Sequence, residues 1–154
     1  MGSKPFKSEK ISKITENLFM GDFEDAQNLE LLEKFKIKHA IQIEANEQKP
    51  KINSLTISMN EDEIIHFKAS MKKALKFLHY YIMQNKNVLV HCKDGQSHSS
   101  SIVIAYIMYS KGLNYEAAKR HLDSKRRIAQ VRPKIRDYLL IATPEELTEL
   151  VHKS

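Results

Sequence analysis

From Ile64 onward, apolar residues recur every three or four positions: Phe67, Met71, Ala74, Leu78 and Ile82. That period predicts one amphipathic helix running to about Gln84, ended by Asn85-Lys86-Asn87. Val88-Leu89-Val90 is apolar at every position, as in a central strand covered on both faces. A polar loop follows from His91 to His98. Ser99 to Lys111 is then apolar all round, the pattern of a buried helix, and Gly112 caps it. Leu55-Thr56-Ile57-Ser58-Met59 alternates as a half-buried strand does, and His39 to Ile43 is a second short strand. Ile14, Leu18 and Met20 read as one strand-like segment ending at Gly21-Asp22. Asn28 caps a helix over Leu29 to Phe35, with Leu31, Leu32 and Phe35 inward. Asn114 caps another, from Tyr115 to about Lys125, and Pro133 opens a third over Lys134 to Ala142. Thr143-Pro144-Glu145-Glu146 carries an N-cap, a first-turn proline and a capping-box glutamate. Strands alternating with helices predict an α/β fold, a three-layer sandwich whose central, mostly parallel sheet is flanked by helices. In such sheets ligands bind beyond the carboxyl ends of the strands.

Length makes this one domain: 154 residues, of which 1–10 are polar and lysine-rich and read as a flexible tail, with 11–154 as the single domain. The longest apolar run, Ile102 to Tyr109, is far shorter than a membrane span. No apolar leader marks the first residues, and Phe6 stands where a myristoylation motif wants Ser or Thr. A net charge of +6 favours anionic partners, whether phosphates, nucleic acid or acidic lipid heads. No nucleic-acid motif accompanies it, so nucleic acid is not expected. Cys92 is the one cysteine, so no intrachain disulfide forms, and a lone thiol suits an intracellular, cytoplasmic or nuclear setting. His66, His79, His121 and His152 lack metal-ligand spacing, so no metal and no cofactor are expected. The expected state is a monomer.

The chemistry gathers around the cysteine. Val88 to Ser101 reads strand, polar loop, helix. A loop feeding a helix N-terminus aims backbone N–H groups at one point, and the helix dipole adds positive charge there. Such a cradle binds an oxyanion, and it favours the thiolate of a cysteine at its entrance. A lone cysteine after an apolar strand is more often a buried small hydrophobe. His91, Gly95 and the hydroxyl run Ser97, Ser99, Ser100 and Ser101 shift the balance towards the nucleophile.

His91-Cys92 followed by five residues, then His98-Ser99, resembles the signature of the cysteine-dependent dual-specificity protein phosphatases, which is His-Cys, five residues, Arg, then Ser or Thr. Gly21 to Asn28 resembles the family's early turn and short helix, and Lys36 to Ile41 its next strand entry. The buried helix followed by Gly112-Leu113 also fits. The likeness covers about residues 11 to 142. It implies that Cys92 is the nucleophile that forms a phosphocysteine, that His91 orients and stabilises the thiolate, and that Ser99 assists thiolate departure. Lys93, Asp94, Gly95, Gln96, Ser97 and His98 correspond to the phosphate-binding loop, with Gly95 letting it turn.

The likeness breaks where the family has arginine, because His98 stands there. Arginine grips two phosphate oxygens with a permanently charged fork, whereas histidine offers one donor per nitrogen and is mostly neutral at pH 7. Asp94 puts a negative charge where a small residue is usual. The family's general acid, an aspartate, lies about thirty residues before the cysteine. Glu61 and Asp62 lie 31 and 30 residues before Cys92, and either could protonate a leaving group. Glu61-Asp62-Glu63 could equally just open the helix.

Lys125-Arg126-Arg127 with Arg132, Lys134 and Arg136 forms a basic run, read either as a solvated face or as a flank of the pocket mouth. Tyr80, Tyr81, Tyr106 and Tyr109 read as core packing, and Met59, Met71, Met83 and Met108 as core fillers. The leading expectation is a pseudophosphatase, with the fold and anion cradle kept and ester hydrolysis impaired or absent. Its partner would be a phosphorylated protein or peptide, with a phosphoinositide as a second candidate. The alternative is an active protein tyrosine/serine/threonine phosphatase working through Cys92, with protonated His98 or Arg132 replacing the fork.

Overall fold

The computed structural model describes residues 11–44, 50–92, 97–127 and 131–153. Two strands, Ile11–Thr15 (β1) and Leu18–Gly21 (β2), stand where the hydrophobic pattern suggested one segment. They pair antiparallel, with Ile11 opposite Gly21. Asn17 reverses the chain in the left-handed region, with φ of 69°. Asparagine tolerates that conformation better than most residues, so the Glu16-Asn17 pair is a turn.

Asp22 then starts the short helix Phe23–Gln27 (α1) with a reciprocal capping box: the Asp25 N–H donates to Asp22 Oδ1 at 2.8 Å, and the Asp22 N–H to Asp25 Oδ2 at 2.9 Å. Helix Leu29–Lys34 (α2) follows, capped by Asn28 as expected; only Leu32 is fully buried, and Leu31 and Phe35 are half-buried. The remaining strands are Ile37–Ile43 (β3), Asn53–Ile57 (β4) and Asn87–Cys92 (β5). Helix Ile64–Ile82 (α3) links β4 to β5. Helices Ser97–Lys111 (α4), Tyr115–Lys125 (α5), Pro133–Ile141 (α6) and Pro144–His152 (α7) complete the chain.

The sheet order is β1-β2-β5-β3-β4, with β2, β5, β3 and β4 parallel. The strand that carries the apolar run Val88-Leu89-Val90 is therefore the central one, as that run requires. Successive side chains of a strand point to opposite faces. Accordingly Val88, Val90 and Cys92 enter the larger core with α3 to α7, while Leu89 joins Phe19, Ala26, Leu32, Ile37 and Ala40 under α1 and α2. These two cores are the two interfaces of the three-layer sandwich.

Helix α4 is buried from Ser99 to Met108. It stops at Gly112, whose φ of 64° suits glycine, and the Leu113 N–H closes the cap on the Met108 carbonyl at 3.2 Å. Two expected core residues lie on the surface instead. Met83 is 71% exposed and Tyr80 62%, because both sit at the end of α3 beyond its packed stripe. Arg126 moves the other way. It is buried, and its guanidinium donates to Ser12 Oγ at 2.9 Å and to the Met20 carbonyl, tying α5 to the hairpin rather than joining a solvated run. No helix among the described residues is long and apolar enough to cross a membrane.

Candidate functional site

The parallel strands bring their carboxyl ends to one edge of the sheet, and Cys92 is the last residue of β5 there. Its thiol is buried, and Sγ lies 3.3 Å from the Ser99 Oγ in the first turn of α4. The helix that carries Ser99 points its N-terminus at this edge, placing partial positive charge beside the sulfur. Ser97 and His98 belong to the same turn. Lys93, Asp94, Gly95 and Gln96, the rest of the candidate phosphate loop, lie outside the described residues.

His91 precedes the cysteine and so faces the opposite side of the sheet. It is 2% exposed, and its Nδ1 has no hydrogen-bond partner among the described residues. Burial pushes its pKa down to about 4, against a smaller opposing pull from Asp22. The ring is therefore neutral at pH 7.

The two acid candidates separate clearly. Glu61 reaches the start of α4, with Oε2 3.5 Å from His98 Nε2, an ion pair only when the imidazole is protonated and without a hydrogen bond between them. Its other oxygen accepts from Arg132 Nη1 at 3.1 Å. Glu61 and His98 are both largely covered, at 17% and 16% side-chain exposure, while Arg132 is 56% exposed. Burial works to raise the Glu61 pKa, but a backbone hydrogen bond and the neighbouring His98 and Arg132 outweigh it, and the net shift is downward. Asp62 instead points outward and pairs with Lys134, which pulls its pKa down as well. Both carboxylates are thus ionised near neutral pH, and among the described residues Glu61, not Asp62, reaches the first turn of α4.

The turn carrying Glu61 is built by residues that composition alone does not single out. Asn60 Oδ1 accepts from the Asp62 N–H at 3.0 Å, an Asx turn readable from the Asn-x-Asp spacing. The Met59 N–H donates to Glu44 Oε1 at 3.0 Å, and Ser70 Oγ donates to the Ser58 carbonyl at 2.7 Å. Glu44 sits in the left-handed region, with φ of 73°, directly after β3. These contacts fix where Glu61 enters the site.

Residues 18–140 match the family described as dual specificity phosphatase, catalytic domain. Mouse dual specificity protein phosphatase 15 is 33% identical over 132 residues, covering 84% of this chain and 56% of that protein. Human dual specificity protein phosphatase 22 is 31% identical over 110 residues, covering 70% of this chain and 60% of that protein. The chain thus spans little more than half the length of these curated relatives. The crystal structure of DUSP15 superposes with a TM-score of 0.78 at 28% identity, over 94% of this chain and 97% of that one. The human tyrosine phosphatase-like serine/threonine/tyrosine-interacting protein superposes with a TM-score of 0.68 at 25% identity, over 91% and 94%.

Proposed function

Given that the chain belongs to the dual-specificity protein phosphatase family, we propose that it is a phosphatase-like domain that keeps the anion cradle, hydrolyses phosphate esters poorly or not at all, and binds a phosphorylated protein or peptide. The observation that carries this reading is His98 itself, which stands in the first turn of α4 beside Ser99 and within 3.5 Å of the Glu61 carboxylate. His98 occupies the place that the family signature gives to arginine. Two charge-assisted hydrogen bonds at about 1.5–3 kcal/mol each are lost with the fork, roughly 3–6 kcal/mol together. Felt in the transition state, that is about a hundred- to ten-thousand-fold in rate.

The acid side supports the same reading. A general acid must hold its proton near the working pH, and both Glu61 and Asp62 are shifted the other way. The Cys92–Ser99 contact at the α4 N-terminus favours a retained oxyanion site. The tyrosine phosphatase-like relative named above is described as an interacting protein, which is in keeping with a binding role here.

The second reading, a working phosphatase, rests on Arg132. It lies one carboxylate away from His98 and has the charge that histidine lacks. Turnover of a small aryl phosphate by wild type, Cys92→Ser and His98→Arg, from pH 5.5 to 7.5, separates the two readings when run beside calorimetric binding of vanadate. We expect wild type to match Cys92→Ser, His98→Arg to gain activity, and vanadate to bind. Cys92-dependent wild-type turnover at ordinary enzyme rates makes the protein a phosphatase and rejects the leading reading. Adding a phosphopeptide and a phosphoinositide headgroup to the calorimetry ranks the two ligand classes.

A further inference from the structure

A cavity among the described residues lies at the end of the sheet opposite Cys92. It is a groove of about 900 Å³ where β3 and β5 begin, bordered by α2 and by the approach to β4. Five residue steps separate Asn87 from Cys92 along β5, so the groove is about 17 Å from the cysteine. Its floor is apolar, formed by Leu32 and Ile37, with Ile52 half-buried and Leu29 55% exposed. Its rim carries Lys36, Lys38 and Lys86, all exposed, against the single carboxylate of Glu33. None of the three lysines is ion-paired among the described residues. Lys86 and Lys38 both lie near enough to the half-buried His39 to help, behind burial itself, depress its pKa.

The walls are fixed. Asn87 Nδ2 donates to the Phe35 carbonyl at 2.9 Å, and Asn17 Nδ2 to Asn87 Oδ1 at 2.8 Å. His39 stacks on Tyr81 at 3.9 Å between ring centroids, and Asn53 bonds to both. Lys36 and Asn85 turn the two bordering loops in the left-handed region, with φ of 55° and 59°. A preformed groove loses little order on binding.

We propose that this groove is a docking site for an acidic peptide segment of a protein partner, anchored by apolar side chains on the Leu29–Ile37–Ile52 floor and held by Lys36, Lys38 and Lys86. Charge complementarity selects the acidic partner, and the apolar floor selects one that alternates acid with hydrophobe. The concave shape favours a chain segment over a flat lipid surface. The site is independent of phosphate chemistry at Cys92.

The test is fluorescence anisotropy on the whole chain with a short fluorescein-labelled peptide of alternating Glu and Leu. Control peptides carry Lys for Glu or Ser for Leu. The Glu-Leu peptide is expected to bind and both controls to fail. Lys38→Glu with Lys86→Glu is expected to weaken binding about tenfold or more, and Leu29→Ser several-fold, in proteins whose melting temperatures are unchanged. Arg132→Gln, Lys134→Gln, Cys92→Ser and saturating vanadate should all leave binding unaltered. The proposal is overturned if no binding is seen at millimolar protein, if the lysine reversals have no effect, or if binding follows Arg132 and Lys134. Stronger capture by phosphatidylserine vesicles than by the peptide, with the same lysine dependence, also overturns it in favour of a membrane surface.

Discussion

Replacing Glu61 with glutamine removes one negative charge from between His98 and Arg132 while keeping the size of the side chain. The carboxylate lies 3.5 Å from His98 and 3.1 Å from Arg132. It competes for them with any incoming phosphate and repels it. The repulsion of two like charges a few ångströms apart at a wet surface is about 1 kcal/mol. Freeing Arg132 adds at most about 1 kcal/mol more, since its side chain is 56% exposed and its pairing is screened. The sum, roughly 1–2 kcal/mol, predicts that Glu61→Gln tightens vanadate binding by about 5- to 30-fold at pH 7. Because the Glu61 pKa is lowered from its ordinary 4.5, the competing charge is fully present at pH 7 and fades only as pH falls below that value. Isothermal titration with vanadate measures the effect. Glu63→Gln, which deletes the same charge two residues further on, should change affinity by less than about twofold. Unchanged or weaker binding in Glu61→Gln would refute the reasoning and show that the carboxylate positions His98 and Arg132 rather than opposing phosphate.

Three other perturbations test the scaffold. His91 is held neutral with a pKa of about 4 against an ordinary 6.5, so its stabilising contribution is complete above pH 6.5 and is lost as pH falls towards 4. Urea unfolding at pH 7 and pH 4 should show wild type losing roughly 3 kcal/mol more than His91→Gln does. Arg126→Ala leaves the Ser12 hydroxyl and the Met20 carbonyl without their guanidinium donor in a buried site, and should cost about 3 kcal/mol by the same assay. Gly112→Ala puts a Cβ into open space but at φ of 64°, so strain alone should cost about 1 kcal/mol, read as a lower melting temperature.

Hydrophobic period was enough to place α3, and unbroken apolar runs to place α4 and the middle of β5, because those elements are decided by burial. The β1–β2 turn escaped it, since Glu16-Asn17 differs from any other polar pair only through the left-handed backbone that Asn17 accepts. Arg126 was unreadable for a related reason. In Lys125-Arg126-Arg127 the composition is uniform, and only the arrival of the hairpin at the end of α5 decides which cation turns inward. Tyr80 and Met83 are apolar by type, but they fall off the packed stripe at the end of α3, while Tyr81 and Ile82 between them pack against the core. Glu61 and Asp62 are neighbours on an irregular turn. No periodicity separates them, and the Asn60 turn with its Glu44 and Ser70 anchors sends one towards His98 and the other towards Lys134.

That divergence couples the two departures from the family signature. If histidine at position 98 were an isolated loss, arginine there would restore both phosphate affinity and turnover. Glu61 makes a full recovery implausible on physical grounds. A guanidinium beside it is a stronger, permanently charged partner than an imidazole, and would hold the carboxylate lower in pKa and tighter in place. His98→Arg should therefore recover oxyanion binding far more than it recovers chemistry that needs a proton donor. Two substrates reveal the difference. An aryl phosphate with a strongly acidic phenol leaves without help, whereas an alkyl phosphate needs a proton. His98→Arg should raise turnover of the first by about a hundredfold or more, from the regained fork, and of the second by much less. Equal gains on both would mean that Glu61, or another group, delivers its proton despite the pairing, and that the acid site was never disabled.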